Sequence, residues 1–248
     1  MLSIVMCVYQ NRHLTVMAVE NLLYTDIPFE LIVIDNGCTD GTAQYLETKE
    51  VTVITNTVNR SIAPAWNQGL EVATGDFVMF TCNDMIVHSS NAAKMIKVFD
   101  LDPEVYCVTT EFTHLEYPQD WWEQAQEKLD EPIVYKVIGP PMPPNPPLDQ
   151  MMGGHFIVSR RGLDEFGVLD VNLPIWYSDV DIWCRFRMLG HPVVQVNTLI
   201  HHFESQTTGL GYSTPNCITA EESHKRFEAK WGKCKDVIAD YQRNPHGS

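Results

Sequence analysis

Leu2 to Val8 is an apolar, β-branched run with Ser3 its one polar residue, the pattern of a strand buried on both faces. The apolar positions that follow, Leu14, Met17, Ala18 and Leu22, keep a helical spacing that only Asn21 interrupts, which predicts an amphipathic helix. Leu31 to Ile34 reads as a second buried strand, closed by the turn signal Asp35-Asn36-Gly37. Val51 to Ile54 predicts a third strand, and a helix carrying Ala63, Trp66, Leu70 and Ala73 comes next. A fourth strand, Phe77 to Phe80, runs into Thr81-Cys82-Asn83-Asp84; a helix with Ala92, Met95, Ile96 and Phe99 then leads to a strand at Val105 to Val108. Strands alternating with helices predict a doubly wound, mainly parallel α/β sheet. Ligands of such sheets bind outside the carboxyl ends of the strands. The polar clusters Tyr9-Gln10-Asn11, Asp35-Asn36-Gly37 and Cys82-Asn83-Asp84 all fall at that edge.

Beyond residue 110 the pattern loosens. Residues 111–150 hold Trp121, Trp122 and the tract Gly139 to Pro147, in which six of nine residues are proline. Such a tract is an extended loop, because proline neither donates to a ladder nor continues a helix. His155 to Ser159 predicts a strand and Arg161 to Phe166 a short helix. Asp179 to Leu189 predicts a helix stopped by Gly190, with Pro192 beyond it. Pro192 to Val196 reads as another strand, followed by His201-His202. Glu204 to Asn216, rich in Gly, Ser and Thr, is either a lid or an ordinary surface loop. Beside it the proline tract would be a stiffer opposite wall. A last helix is expected from Ala220 to about Tyr241.

Composition narrows the class. The 248 residues are 44% hydrophobic and 20% charged, ordinary values for a globular chain that needs no disulfide to fold. No apolar run reaches the roughly 18–20 residues of a membrane span. A net charge of −15 disfavours binding along a nucleic-acid backbone. Seven scattered cysteines, with no Cys-x-x-Cys pair, and a start that runs straight into a strand fit reduced thiols in the cytoplasm. The last helix interleaves Lys225, Arg226, Lys230, Lys233 and Lys235 with Glu221, Glu222, Glu228 and Asp236, which reads first as a solvated, ion-paired face. A membrane-surface or nucleic-acid contact is the sharper alternative.

Neither G-x-G-x-x-G nor a P-loop is present. What stands at the strand ends is carboxylates and a histidine pair, without a Lys/Arg cradle. A protein that holds a diphosphate with such groups can do so through a divalent cation.

Several segments occur in a telling order. They are S-I-V-M-C-V-Y-Q-N, E-L-I-V-I-D-N-G-C-T-D-G-T, N-R-S-I-A-P-A-W-N-Q-G-L-E-V-A-T-G-D-F-V-M-F, C-N-D, G-G-H-F-I-V-S-R-R-G-L-D-E-F-G-V-L-D, Y-S-D-V-D-I-W-C-R-F-R-M-L-G-H, H-H-F-E-S and F-E-A-K-W-G. In this order the chain resembles an inverting family-2 glycosyltransferase of the GT-A fold, over most of 1–110 and 151–232. The resemblance implies one GT-A domain over 1–248. Its donor half would be 1–110 and its acceptor half 111–217, closed by a C-terminal helix at 218–248. It also implies transfer from a nucleoside-diphosphate sugar of UDP or dTDP type to a hydroxyl acceptor, a glycan or glycoconjugate, with Mn²⁺ or Mg²⁺ as cofactor. A modified nucleic-acid base as acceptor, or a degenerate donor-binding or scaffold protein, are the competing expectations.

By the same resemblance, Asp35 and Asn36 stand where the nucleobase is recognised; an Asx turn is the other account of them. Asp84 matches the last position of the metal-binding D-x-D triplet, whose first two positions are here Cys82 and Asn83. Its plainer role would be capping the helix near Ser89 to Phe99. Asp179 and Asp181 match the acidic pair around the catalytic base, with Ser178 in place of the first acid. Helix positions two apart point roughly 200° apart, so only one of them can face a substrate. Asp179 at the helix start is the expected base, and an N-cap carboxylate is its alternative. Asp181 is expected to support the loop or helix. One of His201 and His202 would ligate the metal, since neighbours on a strand face opposite sides. Val8, Tyr9, Asn59, Asn67, Asp76 and Asn83 would line the donor pocket. Trp66 replaces a frequent Arg and Ser61 a frequent Gly. Trp121 and Trp122 are either an acceptor platform or core aromatics.

Overall fold

A computed structural model describes residues 1–113, 121–138, 154–203 and 218–231. The proline tract, the segment 204–217, the helix beyond Trp231, Cys217 and Cys234 lie outside the described residues.

The chain order is β1 (Leu2–Val8), α1 (Arg12–Leu22), β2 (Phe29–Asp35), α2 (Thr42–Leu46), β3 (Thr52–Thr55), α3 (Ile62–Val72), β4 (Phe77–Cys82), β5 (Met85–Val87) and α4 (Asn91–Leu101). It continues with β6 (Cys107–Thr113), α5 (Trp121–Asp130), β7 (Tyr135–Ile138), β8 (Phe156–Ser159), α6 (Arg160–Phe166), α7 (Ser178–Met188), β9 (Val193–His202) and α8 (Ala220–Trp231). The nine strands form one sheet in the order β3-β2-β1-β4-β8-β6-β9-β5, with β7 also paired to β9. β1 to β4, β6 and β9 run one way; β8, β5 and β7 run against them. The expected mixed, mainly parallel sheet is the sheet observed.

β1 shows why the centre is stable. All seven of its residues are buried. Leu2, Ile4, Met6 and Val8 join one apolar cluster with Ala18 and Val19 of α1 and Met95 of α4. Val5 and Cys7 join the other, with Trp66 of α3 and Phe186 of α7. The two-residue period of a strand thus supplies both faces, and helices cover each. Trp66 is core: its ring packs against Phe80 and Phe156 at centroid distances of 5.4 and 5.9 Å, and its Nε1 donates to the Thr81 carbonyl at 3.1 Å.

Gly69 lets α3 lie close on the sheet. A Cβ there would stand 2.3 Å from Val5 Cγ1 and 2.9 Å from Ile34 Cδ1. Gly69→Ala is therefore expected to destabilise the fold by about 1–3 kcal/mol through overpacking. A urea midpoint equal to that of the parent would contradict this.

The elements not foreseen are short or sit in the irregular half: α2, β5, α5 and β7. β9 is longer than expected, one strand through His202. Its register against β6 slips between Thr109/Gln195 and Glu111/Leu199, and its end pairs with β5.

Candidate active site

Val8, Asp35 and Cys82 end three adjacent parallel strands at one edge of the sheet, in register. His201 and His202 end β9 at the same edge, and Gly154-His155 enter β8 there. The strand-end clusters therefore do meet.

β5 doubles back after Asn83-Asp84 and pairs Met85 with His202 and Ile86 with His201. This settles which histidine turns inward. His202 Nε2 lies 3.4 Å from Asp84 Oδ2. His201 is buried, facing the other way, its ring edge-on to Phe203 at 4.6 Å. Of the two histidines expected to share this choice, His202 is the one set beside Asp84.

The Cys82 thiol is held far above its ordinary value, first by burial and then by the nearby carboxylates of Asp84 and Asp179. Both carboxylates thus act on one sulfur, which ties the end of β4 to the start of α7. Asp179, the second residue of α7, accepts from the Val180 N–H at 2.8 Å and from the Gly154 backbone. Burial outweighs those bonds and raises its carboxyl above the ordinary range. Asp181 faces away: it is fully buried, with Arg185 Nε at 3.2 Å and both Lys230 Nζ and Trp231 Nε1 on its other oxygen. The two aspartates diverge as their helical spacing requires.

Several expected donor contacts are structural instead. Asn36 is buried and its amide is saturated: it donates to Asn59 Oδ1 at 2.8 Å and Ser61 O at 3.2 Å, and accepts from Asn56 Nδ2 and the Arg60 N–H, both at 3.0 Å. It organises the wall formed by 56–61, and its side-chain amide is fully engaged there. Asn59 belongs to the same network and also accepts from the Ser61 N–H at 2.8 Å. Asn36→Ala would strand several of these groups, and roughly 1–3 kcal/mol of stability is expected to go with them, read from a denaturant midpoint. Asp35 closes an Asx turn, accepting from the Cys38 N–H at 2.8 Å. Val8 offers its carbonyl to the Asn36 N–H at 2.9 Å, and Tyr9 follows it at the same edge.

Three further expected donor residues have partners elsewhere in the fold. Asn67 clamps the backbone of Leu169, donating to its carbonyl at 2.9 Å and accepting from its N–H at 3.0 Å. Asn83 donates to Thr15 Oγ1 at 3.0 Å and is buried against α1. Asp76 precedes β4, so it lies at the opposite edge of the sheet, paired with the Met1 amino group at 2.8 Å. A residue at a strand's amino end cannot line a pocket at the carboxyl ends.

His155 was not anticipated. It is fully buried, with Nδ1 3.1 Å from Thr81 Oγ1 and no hydrogen-bond partner for Nε2. Burial, with His202 nearby, pulls its pKa down to about 3, so it is neutral. The Gly-Gly-His signal before β8 marked the segment without assigning it a role. Ser61, which stands where glycine is frequent, and Tyr177, which the sequence did not single out, hold positive φ of 72° and 68°. Their segments touch through Ala63 N to Pro174 O at 2.9 Å. Left-handed backbone of this kind, outside glycine, persists only where the surroundings enforce it and gathers at functional sites. The Trp122 ring lies tilted against His88 at a centroid distance of 4.5 Å and remains exposed. On α8, Lys225–Glu221 and Arg226–Glu222 form exposed ion pairs at 2.8 and 3.0 Å.

Asp84 and His202 are the residues that could hold a divalent cation. One carboxylate and one imidazole suit Mn²⁺ or Mg²⁺ only if other oxygens complete the shell. Among the described residues no third His, Cys, Asp or Glu closes a metal cluster. No described helix is long and apolar enough to cross a membrane.

The sheet order is that of a GT-A fold. Residues 3–166, more than half of the chain, match glycosyl transferase family 2, and the chain belongs to that family. It is 39% identical over 79 residues to the uncharacterized glycosyltransferase YfnE of Bacillus subtilis (strain 168), a stretch that is 30% of this chain and 20% of that protein. Its fold is similar to that of the mannosyltransferase PcManGT from Pyrobaculum calidifontis, solved with GDP-Man and Mn²⁺. There the TM-score is 0.62 and the identity 20%, over 83% of this chain and 57% of that one. GalNAc-T7, solved with UDP, GalNAc and Mn²⁺, is similar with a TM-score of 0.68 and 15% identity, over 97% of this chain and 50% of that one. The chain thus spans a fifth of the curated relative and about half of each solved neighbour.

Proposed function

We propose that this glycosyltransferase moves a sugar from a nucleoside-diphosphate sugar to an acceptor hydroxyl by a single inverting displacement. The observation that carries the reading is the Asp84–His202 pair at 3.4 Å together with a carboxyl, Asp179, that is raised by burial and acts, like Asp84, on the Cys82 thiol. The acceptor oxygen attacks the anomeric carbon as the bond from that carbon to the diphosphate breaks. Asp179 takes the acceptor's proton. Its raised pKa makes it a stronger base than an exposed aspartate, and the Val180 and Gly154 N–H groups orient it. Asp84 and His202 would hold Mn²⁺ or Mg²⁺, which supplies positive charge against the diphosphate. The Asp35 turn and the 56–61 wall organised by Asn36 would shape the base pocket. The neighbours' GDP-Man and UDP support a nucleotide donor, and a glycan or glycoconjugate is the acceptor we favour. The ion-paired face of α8 gives nucleic acid no free basic stripe among the described residues.

The test incubates the protein with a panel of UDP-, dTDP- and GDP-sugars, Mn²⁺ and simple glycosides, and measures nucleoside diphosphate released and product anomeric configuration by NMR. One donor is expected to turn over with inversion. Donor binding without any turnover, across all donors and acceptors, would favour the degenerate binder instead. A retained configuration would overturn the single displacement.

A further inference from the structure

The outward ion pairs of α8 suit a solvated helix, but its inner face makes a different set of contacts. Lys230 Nζ reaches Asp170 Oδ2 and Asp181 Oδ1, both at 2.7 Å. Trp231 Nε1 donates to the same Asp181 oxygen at 2.8 Å. Nearly two turns earlier on α8, His224 Nδ1 pairs with the Tyr177 hydroxyl at 3.0 Å, and Phe227 stacks on the Tyr177 ring at 4.9 Å. Phe227 also closes a small apolar cluster with Leu173, Val180 and Cys184. α8 therefore grips the chain on both sides of Ser178-Asp179, at Tyr177 before and at Asp181 after.

Two features separate this from ordinary helix packing. Tyr177 has a φ of 68°, a left-handed conformation that a bulky residue adopts only when it is held. Asp181 is a fully buried carboxylate whose Oδ1 meets Lys230 and Trp231, while Oδ2 has the Arg185 ion pair at 3.2 Å and no hydrogen bond. Buried ion pairs add little net stability over an apolar replacement, but they enforce one geometry, because losing a partner leaves an unpaired buried charge. Both devices fix direction, and between them lies the aspartate whose direction decides proton transfer.

We propose that α8 is a latch on the catalytic turn, with Tyr177 and Asp181 as positioning residues that set the orientation of Asp179. The proposal rests on reading Asp179 as the base. Displacements near 1 Å can cost on the order of 10²-fold in rate, so the latch acts on turnover and leaves donor binding alone.

Trp231→Phe and His224→Phe each remove one polar tie while keeping an aromatic ring, and neither residue is placed at the donor. Each variant, and the pair, would be assayed for kcat, donor KM and amide hydrogen exchange over 175–182, beside Asp179→Asn. Each single change is expected to lower kcat by roughly 10-fold or more, with donor KM within about twofold and faster exchange at 175–182. The acid limb of the kcat profile should also move to lower pH as Asp179 gains solvent. Unchanged exchange, or faster exchange with kcat intact, overturns the latch. So does a fall in kcat matched by an equal loss of donor affinity, which would mark general loosening. Full turnover in Asp179→Asn would remove the base reading itself, whatever the exchange shows.

Discussion

Replacing Asp179 by asparagine is expected to lower transfer by roughly 10²–10⁴, the usual contribution of a positioned base, while donor affinity stays close to that of the parent. The same change should not weaken the fold. Burial raises the Asp179 carboxyl above its ordinary value. A group raised on folding adds stability below its unfolded value, about 3.9, and that contribution is lost as pH rises through the folded one. At about pH 7 the parent thus carries the unfavourable charged form, which Asp179→Asn removes. Thermal melts should show the variant at least as stable as the parent near neutrality, with its advantage shrinking as pH approaches 4. An inactive variant that also melts earlier at neutral pH would point to a structural role for the carboxylate.

The second large effect concerns the cation. Asp84 and His202 offer two protein groups where an octahedral ion needs about six. Mn²⁺ alone should bind weakly in calorimetric titration and tighten when nucleoside diphosphate is present. The nucleotide should gain by the same factor, roughly 5–150-fold for a typical coupling. His202→Ala should abolish the coupling, whereas His201→Ala should leave it, because the His201 ring lies edge-on to Phe203 on the other face of β9. Equal Mn²⁺ affinity with and without nucleotide would remove this site from the mechanism.

The buried strands were legible because β1, β2 and β4 are apolar runs whose alternate residues meet helices on both faces. β5 and β7 were not, since three or four residues carry no period, and β9 was cut short where polar Gln195 and Asn197 interrupt it. At the site, the strand-end rule pointed to Asp84 and the histidine pair, the family resemblance marked Asp179 at a helix start, and the two-residue alternation required one histidine to turn away. Which one depended on β5, an element the pattern did not reveal. The asparagines were the hardest to assign. Asn36, Asn67 and Asn83 stand where a ligand contact would also be placed, yet an amide that clamps backbone has the same signature as one that meets a nucleotide. Only the partners distinguish them. Asp76 was avoidable: it precedes β4 instead of ending it, and direction along the strand already put it at the far edge.

β8 has a consequence for how the chain assembles. It is four residues long, yet it alone joins β4 to β6, through Phe80–Phe156 on one side and Thr109–Phe156 on the other. During synthesis the quartet β1 to β4 can collapse early, on local crossover connections. The facing edges of β4 and β6 must wait for residues 156–159 to emerge. Open strand edges recruit other chains, and pairings distant in sequence form slowly. The nascent protein therefore passes through a stage in which the β4 margin of the quartet is open, until β8 pairs with it and β9, emerging later still, completes the far half.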